Sequence, residues 1–133
     1  MFAAYRNPAA TYNQVRVESS VAIARPIDLV IMVYDGAIET LGKAATQLRA
    51  NDIAAKNQSI TRAIRIIDEG LRAPLDMRAG EVAANLSGLY DYMMRRLLLA
   101  NVRNDPAMIE EVRALLLDLK SAWDELASRE KSA

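Results

Sequence analysis

The chain has 133 residues, its 17 Lys+Arg are balanced by 17 Asp+Glu, and it contains no histidine and no cysteine. Zero net charge argues against nucleic acid, which is held mainly through neutralised phosphates, and against a polybasic membrane anchor. The missing residue types exclude disulfide frameworks, thiolate nucleophiles and Cys-ligated zinc. They also remove the commonest general base and metal ligand, so neither an enzyme nor a metal or other cofactor is expected.

The length fits one domain with a core of its own, covering residues 1–133. No run of about 18 apolar residues occurs, so no membrane insertion is expected. The opening MFAAYRNPAATYNQV lacks a basic stretch followed by an apolar run, so a cytoplasmic location is expected.

Residues 1–25 are the least regular and read as a flexible arm. Asn7 and Pro8 make an early turn, and Ala10 to Val21 can form a short helix. Its apolar residues Tyr12, Val15 and Val17 are too sparse to hold it without packing. From Pro26 to Arg49 the chain reads PIDLVIMVYDGAIETLGKAATQLR, a long helix with proline at its first position. Arg25 offers no acceptor to the free N–H groups there, and Asp28 compensates in part through the helix dipole.

This helix is apolar on two sides. At about 100° per residue, Leu29, Met32, Val33, Gly36, Ala37, Thr40 and Ala44 fall on one face, and Ile27, Ile31, Tyr34, Ile38, Leu41 and Ala45 nearly opposite. A surface helix has one apolar stripe, so the second must be covered. Either the helix is central, or the stripe makes a symmetric dimer, or it is a groove for a partner helix with i, i+3/i+4, i+7 anchors.

Asn51-Asp52 ends this helix and caps the next, which runs from about Ile53 to Leu71 with Ile53, Asn57, Ile60, Ile64, Ile67 and Leu71 on its core face and Arg62, Arg65 and Glu69 facing away. Gly70 and Pro74 stop it. The link from Pro74 to Gly80 is the longest between helices. A third helix, from near Gly80 to about Val102, presents Val82, Leu86, Leu89, Tyr90, Met93, Leu97 and Ala100 to the core. Asp105-Pro106 restarts the chain as cap and first turn. The last helix carries Ile109, Val112, Leu116, Leu119, Trp123 and Leu126 as a heptad seam and is expected to fray after Leu126. Four helices joined by short turns predict an all-α, antiparallel four-helix bundle over residues 26–128, with the N-terminal helix or arm beside it.

Other clusters read as structure. Tyr90 to Arg96 (YDYMMRR) packs as core and flank, with Arg95 and Arg96 expected to pair with acids on neighbouring helices. Arg62, Arg65, Arg72, Arg95 and Arg96 are raw material for a dicarboxylate clamp, but Arg62 and Arg65 face solvent in this reading. Glu110-Glu111 and Asp68-Glu69 are sequence neighbours and point in different directions.

The strings TYNQVRVES, PIDLVIMVYDGAIETL, AIRIIDEGLRAPLD and GEVAANLSGLYDYMMRRLLLANVRND, with the closing Trp123, together resemble the flagellar secretion chaperone family FliS over nearly the whole chain. The resemblance implies a cytoplasmic bundle that binds the disordered C-terminal segment of flagellin, prevents premature polymerisation and delivers flagellin to the flagellar type III export gate. It places Tyr12, Gln14 and Val15 in a segment near the cargo. Together with the stripe, this predicts a partner-binding groove on Ile27, Ile31, Tyr34 and Ile38 with Tyr12, Gln14 and Val15 nearby, no catalytic residues, and a homodimer as an option when cargo is absent. A self-associating structural or adaptor bundle is the alternative. Two departures from the family pattern are Arg25, where relatives often have Ser, and Ala79-Gly80, where they have paired glycines.

Overall fold

The computed structural model describes residues 25–132. Four helices make up most of this span: α1 (Pro26–Arg49), α2 (Ile53–Arg65), α3 (Glu81–Arg103) and α4 (Pro106–Ser132). The chain leaves α2 through one π-helical segment, Ile66–Arg72, and a short 3-10 turn, Met77–Ala79, precedes α3. Among the described residues there is no strand and no helix long and apolar enough to cross a membrane.

The caps explain the boundaries. Asp52 accepts from the Ala55 N–H at 3.3 Å and Asp105 from the Ala107 N–H at 2.9 Å, and Asn104 takes the left-handed conformation that ends α3. Gly80 sits at φ +90°, where a side chain would be strained, while Ala79 lies in the 3-10 turn. Arg25 starts α1 unconventionally. Asp28 reaches back to the Arg25 backbone N–H at 3.2 Å and takes its guanidinium at 3.0 and 3.1 Å. The same guanidinium donates to the Ala127 carbonyl at 3.3 Å, tying the start of α1 to the end of α4.

Cross-helix contacts fix the bundle as antiparallel. Down the α1–α4 seam the pairs are Arg25 with Ala127, Asp35 with Lys120 at 2.7 Å and Arg49 with Glu110 at 3.7 Å. Between α2 and α3 they are Lys56 with Asn101, and Arg72 with Asp91 at 3.7 Å. Ser59 donates to Gln47 at 2.7 Å between α1 and α2, and Arg96 meets Glu111 at 2.7 Å between α3 and α4. The four helices therefore form a ring in chain order, with α1 diagonal to α3.

The core is Val33, Tyr34, Ala37, Ile38, Leu41, Ala44, Ala45, Ile60, Ala63, Ile66, Ile67, Leu71, Tyr90, Met93, Leu97, Ala100, Met108, Ile109, Val112 and Leu116. Both stripes of α1 are in it because α1 is packed against α2 on one side and α4 on the other. On the α2 side, a Cβ at Gly70 would come within 2.7 Å of Val33 Cγ1, so glycine is what lets the π segment approach this closely.

Four expectations need correction. The core face of α2 is rotated by about a residue: Lys56 is buried and Asn57 exposed. Lys56 keeps its ammonium satisfied by donating to the carbonyl and side chain of Asn101 at 3.0 and 2.7 Å, capping the last turn of α3 where carbonyls are free; burial lowers its pKa. The second helix does not run regularly to Leu71 but goes π from Ile66. Val82, expected in the core, and Leu126, expected on the heptad seam, are both exposed. The last helix continues to Ser132 instead of fraying after Leu126, with Glu125 and Arg129 paired at i, i+4.

Candidate functional site

Each residue of the expected groove has a definite place. Tyr34 is 0 % exposed, Ile27 7 % and Ile38 8 %, and only Ile31 is half-buried. The open trough expected along these four residues is therefore absent as surface; the α4 side of the bundle covers the stripe. Asp35, one residue beyond Tyr34, is held by Lys120, and Gly42 lies 3.7 Å from Arg113 Nε by its would-be Cβ, so α4 follows α1 along this side. Tyr12, Gln14 and Val15 lie outside the described residues.

An apolar opening exists elsewhere, at the end of the bundle where α1 begins, α2 ends, α3 begins and α4 ends. A cleft of about 130 Å³ there is lined by Val30, Gly70, Leu71, Pro74, Leu75, Tyr90 and Trp123. Helices α1, α3 and α4, the π segment and the turn after it contribute. The π segment widens the end of α2 here, in keeping with the tendency of such bulges to fall at functional places. Trp123 is itself only half-buried, and on the helices that carry Tyr90 and Trp123, Leu86, Leu89 and Leu119 are half-buried too, while Val82 and Leu126 are 70 % and 43 % exposed.

A hydrogen-bonded aromatic triad lies beneath. Trp123 Nε1 donates to Tyr34 Oη at 3.2 Å, and the hydroxyls of Tyr34 and Tyr90 bond to each other. Burial pushes both phenols above the ordinary tyrosine range, so both keep their protons at any physiological pH. Three helices thus converge on one point, joining residues 56 and 89 positions apart. Periodicity assigns Tyr90 and Trp123 to the core and Tyr34 to the expected partner groove, and carries no sign of their meeting.

The charged clusters do not form a site. Arg96 pairs with Glu111, as expected, and Tyr92 donates to the same carboxylate. These two partners, the Tyr92 hydroxyl first, hold the Glu111 carboxyl below its usual range. Arg95 is exposed. Arg72 is taken by Asp68 and Asp91. Arg62 and Arg65, half-buried rather than solvent-facing, line a shallow depression with Asn57, Gln58 and Thr61 on the outside of α2. The five arginines do not converge, so the clamp has no geometry. The arrangement at the open end supplies apolar area with a few polar groups and no reacting centre, which suits binding.

Comparison with known proteins agrees with the resemblance. The family model for the flagellar protein FliS matches residues 8–130. The flagellar secretion chaperone FliS of Salmonella typhimurium is 49 % identical over 119 residues, 89 % of this chain and 88 % of the relative. The Escherichia coli protein of the same name is 44 % identical over 115 residues, 86 % and 85 % of the two chains. That of Bacillus subtilis is 35 % identical over 128 residues, 96 % and 92 %. The chain belongs to the FliS family of flagellar secretion chaperones.

Proposed function

We propose that this protein is a cytoplasmic export chaperone that binds the disordered C-terminal segment of flagellin, prevents its premature polymerisation and delivers it to the flagellar type III export gate. The observation that carries the reading is the apolar cleft lined by Val30, Leu71, Pro74, Leu75, Tyr90 and Trp123. The family supplies the rest. Cargo packs on the Leu71–Leu75 turn, Tyr90, Trp123 and the apolar rim of α3 and α4. Tyr12, Gln14 and Val15 join from the N-terminal segment. Ile31 contributes at an edge, while Ile27, Tyr34 and Ile38, buried in the bundle, support the fold without touching the cargo.

The energetics suit a holding function. Ordering a disordered segment costs about 2–5 kcal/mol or more. Fully burying one Leu- or Val-sized side chain contributes about 1.5–3 kcal/mol, so a few anchors on each side offset the ordering. A segment whose apolar positions are covered cannot use them to nucleate a filament.

Calorimetry with a flagellin C-terminal fragment tests this. Wild-type chain should bind it saturably, and Val82→Asp with Leu126→Asp should weaken binding tenfold or more while helicity is unchanged, because both positions are exposed. Absence of binding by the wild type would overturn the reading. In the alternative, a self-associating bundle, sedimentation would show a tight dimer with no affinity for the fragment; a dimer that dissociates on adding fragment belongs to the chaperone reading.

A further inference from the structure

Resting on the reading above, we propose that the Tyr90 hydroxyl donates a hydrogen bond to a free backbone carbonyl of the bound segment, next to the point where one apolar side chain of that segment enters the cleft. The cleft would then select a stretch of partner that is extended or ends a helix.

The argument is a count of protons. The triad holds three donors: the Trp123 indole N–H, which can only donate, and two phenol O–H groups, each able to donate and accept. The indole proton goes to Tyr34 Oη, and one phenol proton joins the two hydroxyl oxygens. The third proton has no acceptor among the described residues. It belongs to Tyr34 or to Tyr90. Tyr34 is wholly enclosed and is not part of the cleft wall, so a spare proton there would be a stranded buried donor, worth about 1–3 kcal/mol of destabilisation. Tyr90, 2 % exposed, does line the cleft. The favourable order is therefore Trp123 to Tyr34 to Tyr90, with the Tyr90 proton left for whatever enters.

The cleft describes its occupant. Its other side-chain walls, Val30, Leu71, Pro74 and Leu75, bring no side-chain acceptor. Its volume of about 130 Å³ is close to the ~150 Å³ of an apolar cavity that stays dry and takes a benzene. One Leu- or Phe-sized side chain fits. A carbonyl in the middle of a helix is already taken by the N–H four residues on, whereas the last four carbonyls of a helix, and those of extended chain, are free. A spare donor beside a pocket for one apolar side chain therefore matches a helix end or an extended stretch, and a continuous helix laid across the cleft would leave the Tyr90 proton unmatched.

The test uses full-length chain, a flagellin C-terminal fragment and calorimetry on three proteins. Tyr90→Phe should weaken binding threefold to tenfold. Tyr34→Phe leaves the Tyr90 proton in the cleft and should bind within twofold of wild type while being the less stable of the two variants in urea. Trp123 is the single tryptophan, so its indole N–H resonance reports whether the remaining pair in Tyr90→Phe stays assembled. Equal affinity of Tyr90→Phe and wild type would overturn the proposal and leave the chaperone function standing. Equal weakening by both substitutions would also overturn it, since the triad would then act as support rather than as donor. Failure of the wild type to bind would overturn both readings together.

Discussion

The two ends of the bundle are built differently. At the end that holds the turns at 50–52 and 104–105, the core is filled by Leu41, Ala44, Ala45, Ile60, Leu97, Ala100, Ile109 and Val112, all buried. Small alanines on α1 and α3 let the helices close, and branched residues on α2 and α4 fill the space, as close packing requires. At the opposite end the apolar residues are larger, Tyr90, Trp123, Leu75, Leu86, Leu89 and Leu119, yet most are only half-buried. The first end also leaves apolar surface, with Leu48, Leu99 and Leu115 half-buried and Leu98 and Val102 exposed, so the difference lies in the cleft that Tyr90 and Trp123 help to line. In the proposed reading the first end stabilises the fold and the cleft end takes the partner.

Substitutions at the two ends should separate these roles. The largest effect is expected from Leu97→Ala, a fully enclosed site, at about 2–5 kcal/mol in urea unfolding. Leu86→Ala at the open end should cost less than half as much, because its side chain is only partly removed from water. Equal costs would break the comparison. Next comes Gly70→Ala. Its new Cβ meets Val33 Cγ1 at 2.7 Å, and Val33 is stiff at χ1, so α1 and the π segment must part. About 1–3 kcal/mol of destabilisation is expected, with looser fragment binding because Gly70 also lines the cleft. A variant as stable as wild type would show that the close approach is not needed.

The smallest effect concerns Glu111, held by Tyr92 and Arg96. Its folded-state pKa is lowered, so its contribution is present above its ordinary value near 4.5 and is lost as pH falls through the lowered value. Glu111→Gln should therefore be slightly less stable than wild type at pH 7, with the gap closing below about pH 4.5. A gap that stays constant to pH 3 would mean that the pair contributes nothing through ionisation. Flagellin-fragment affinity should be unchanged, since this pair lies away from the cleft.

Much of the scaffold was legible because it is local. Pro26, Asp52, Asp105 and Asn104 mark helix ends by chemistry that acts within a few residues. The π segment was not legible, since Ile66, Ile67, Gly70 and Leu71 also fit an ordinary helical period. Lys56 was missed because a lysine reads as polar, although its long stem is apolar and Asn101 meets its tip. The extension of α4 past Leu126 has no apolar spacing to mark it; helix-forming residues and the Glu125–Arg129 pair hold it. The two stripes of α1 were legible as stripes. What covers each was not, because a period on one helix says which residues need burial and nothing about whether the chain itself or another molecule supplies it. The triad of Tyr34, Tyr90 and Trp123 depends on three helices meeting and has no local signature.

Amide hydrogen exchange of the chain alone and saturated with a flagellin C-terminal fragment tests the central claim most directly, because it locates the contact. Added protection is expected in peptides covering Leu71–Leu75, Val82–Tyr90 and Leu119–Leu126, with the end at the 50–52 and 104–105 turns unchanged. Protection confined to the outside of α2 around Asn57 to Arg65, or none, would contradict the claim that the open end is where a partner binds.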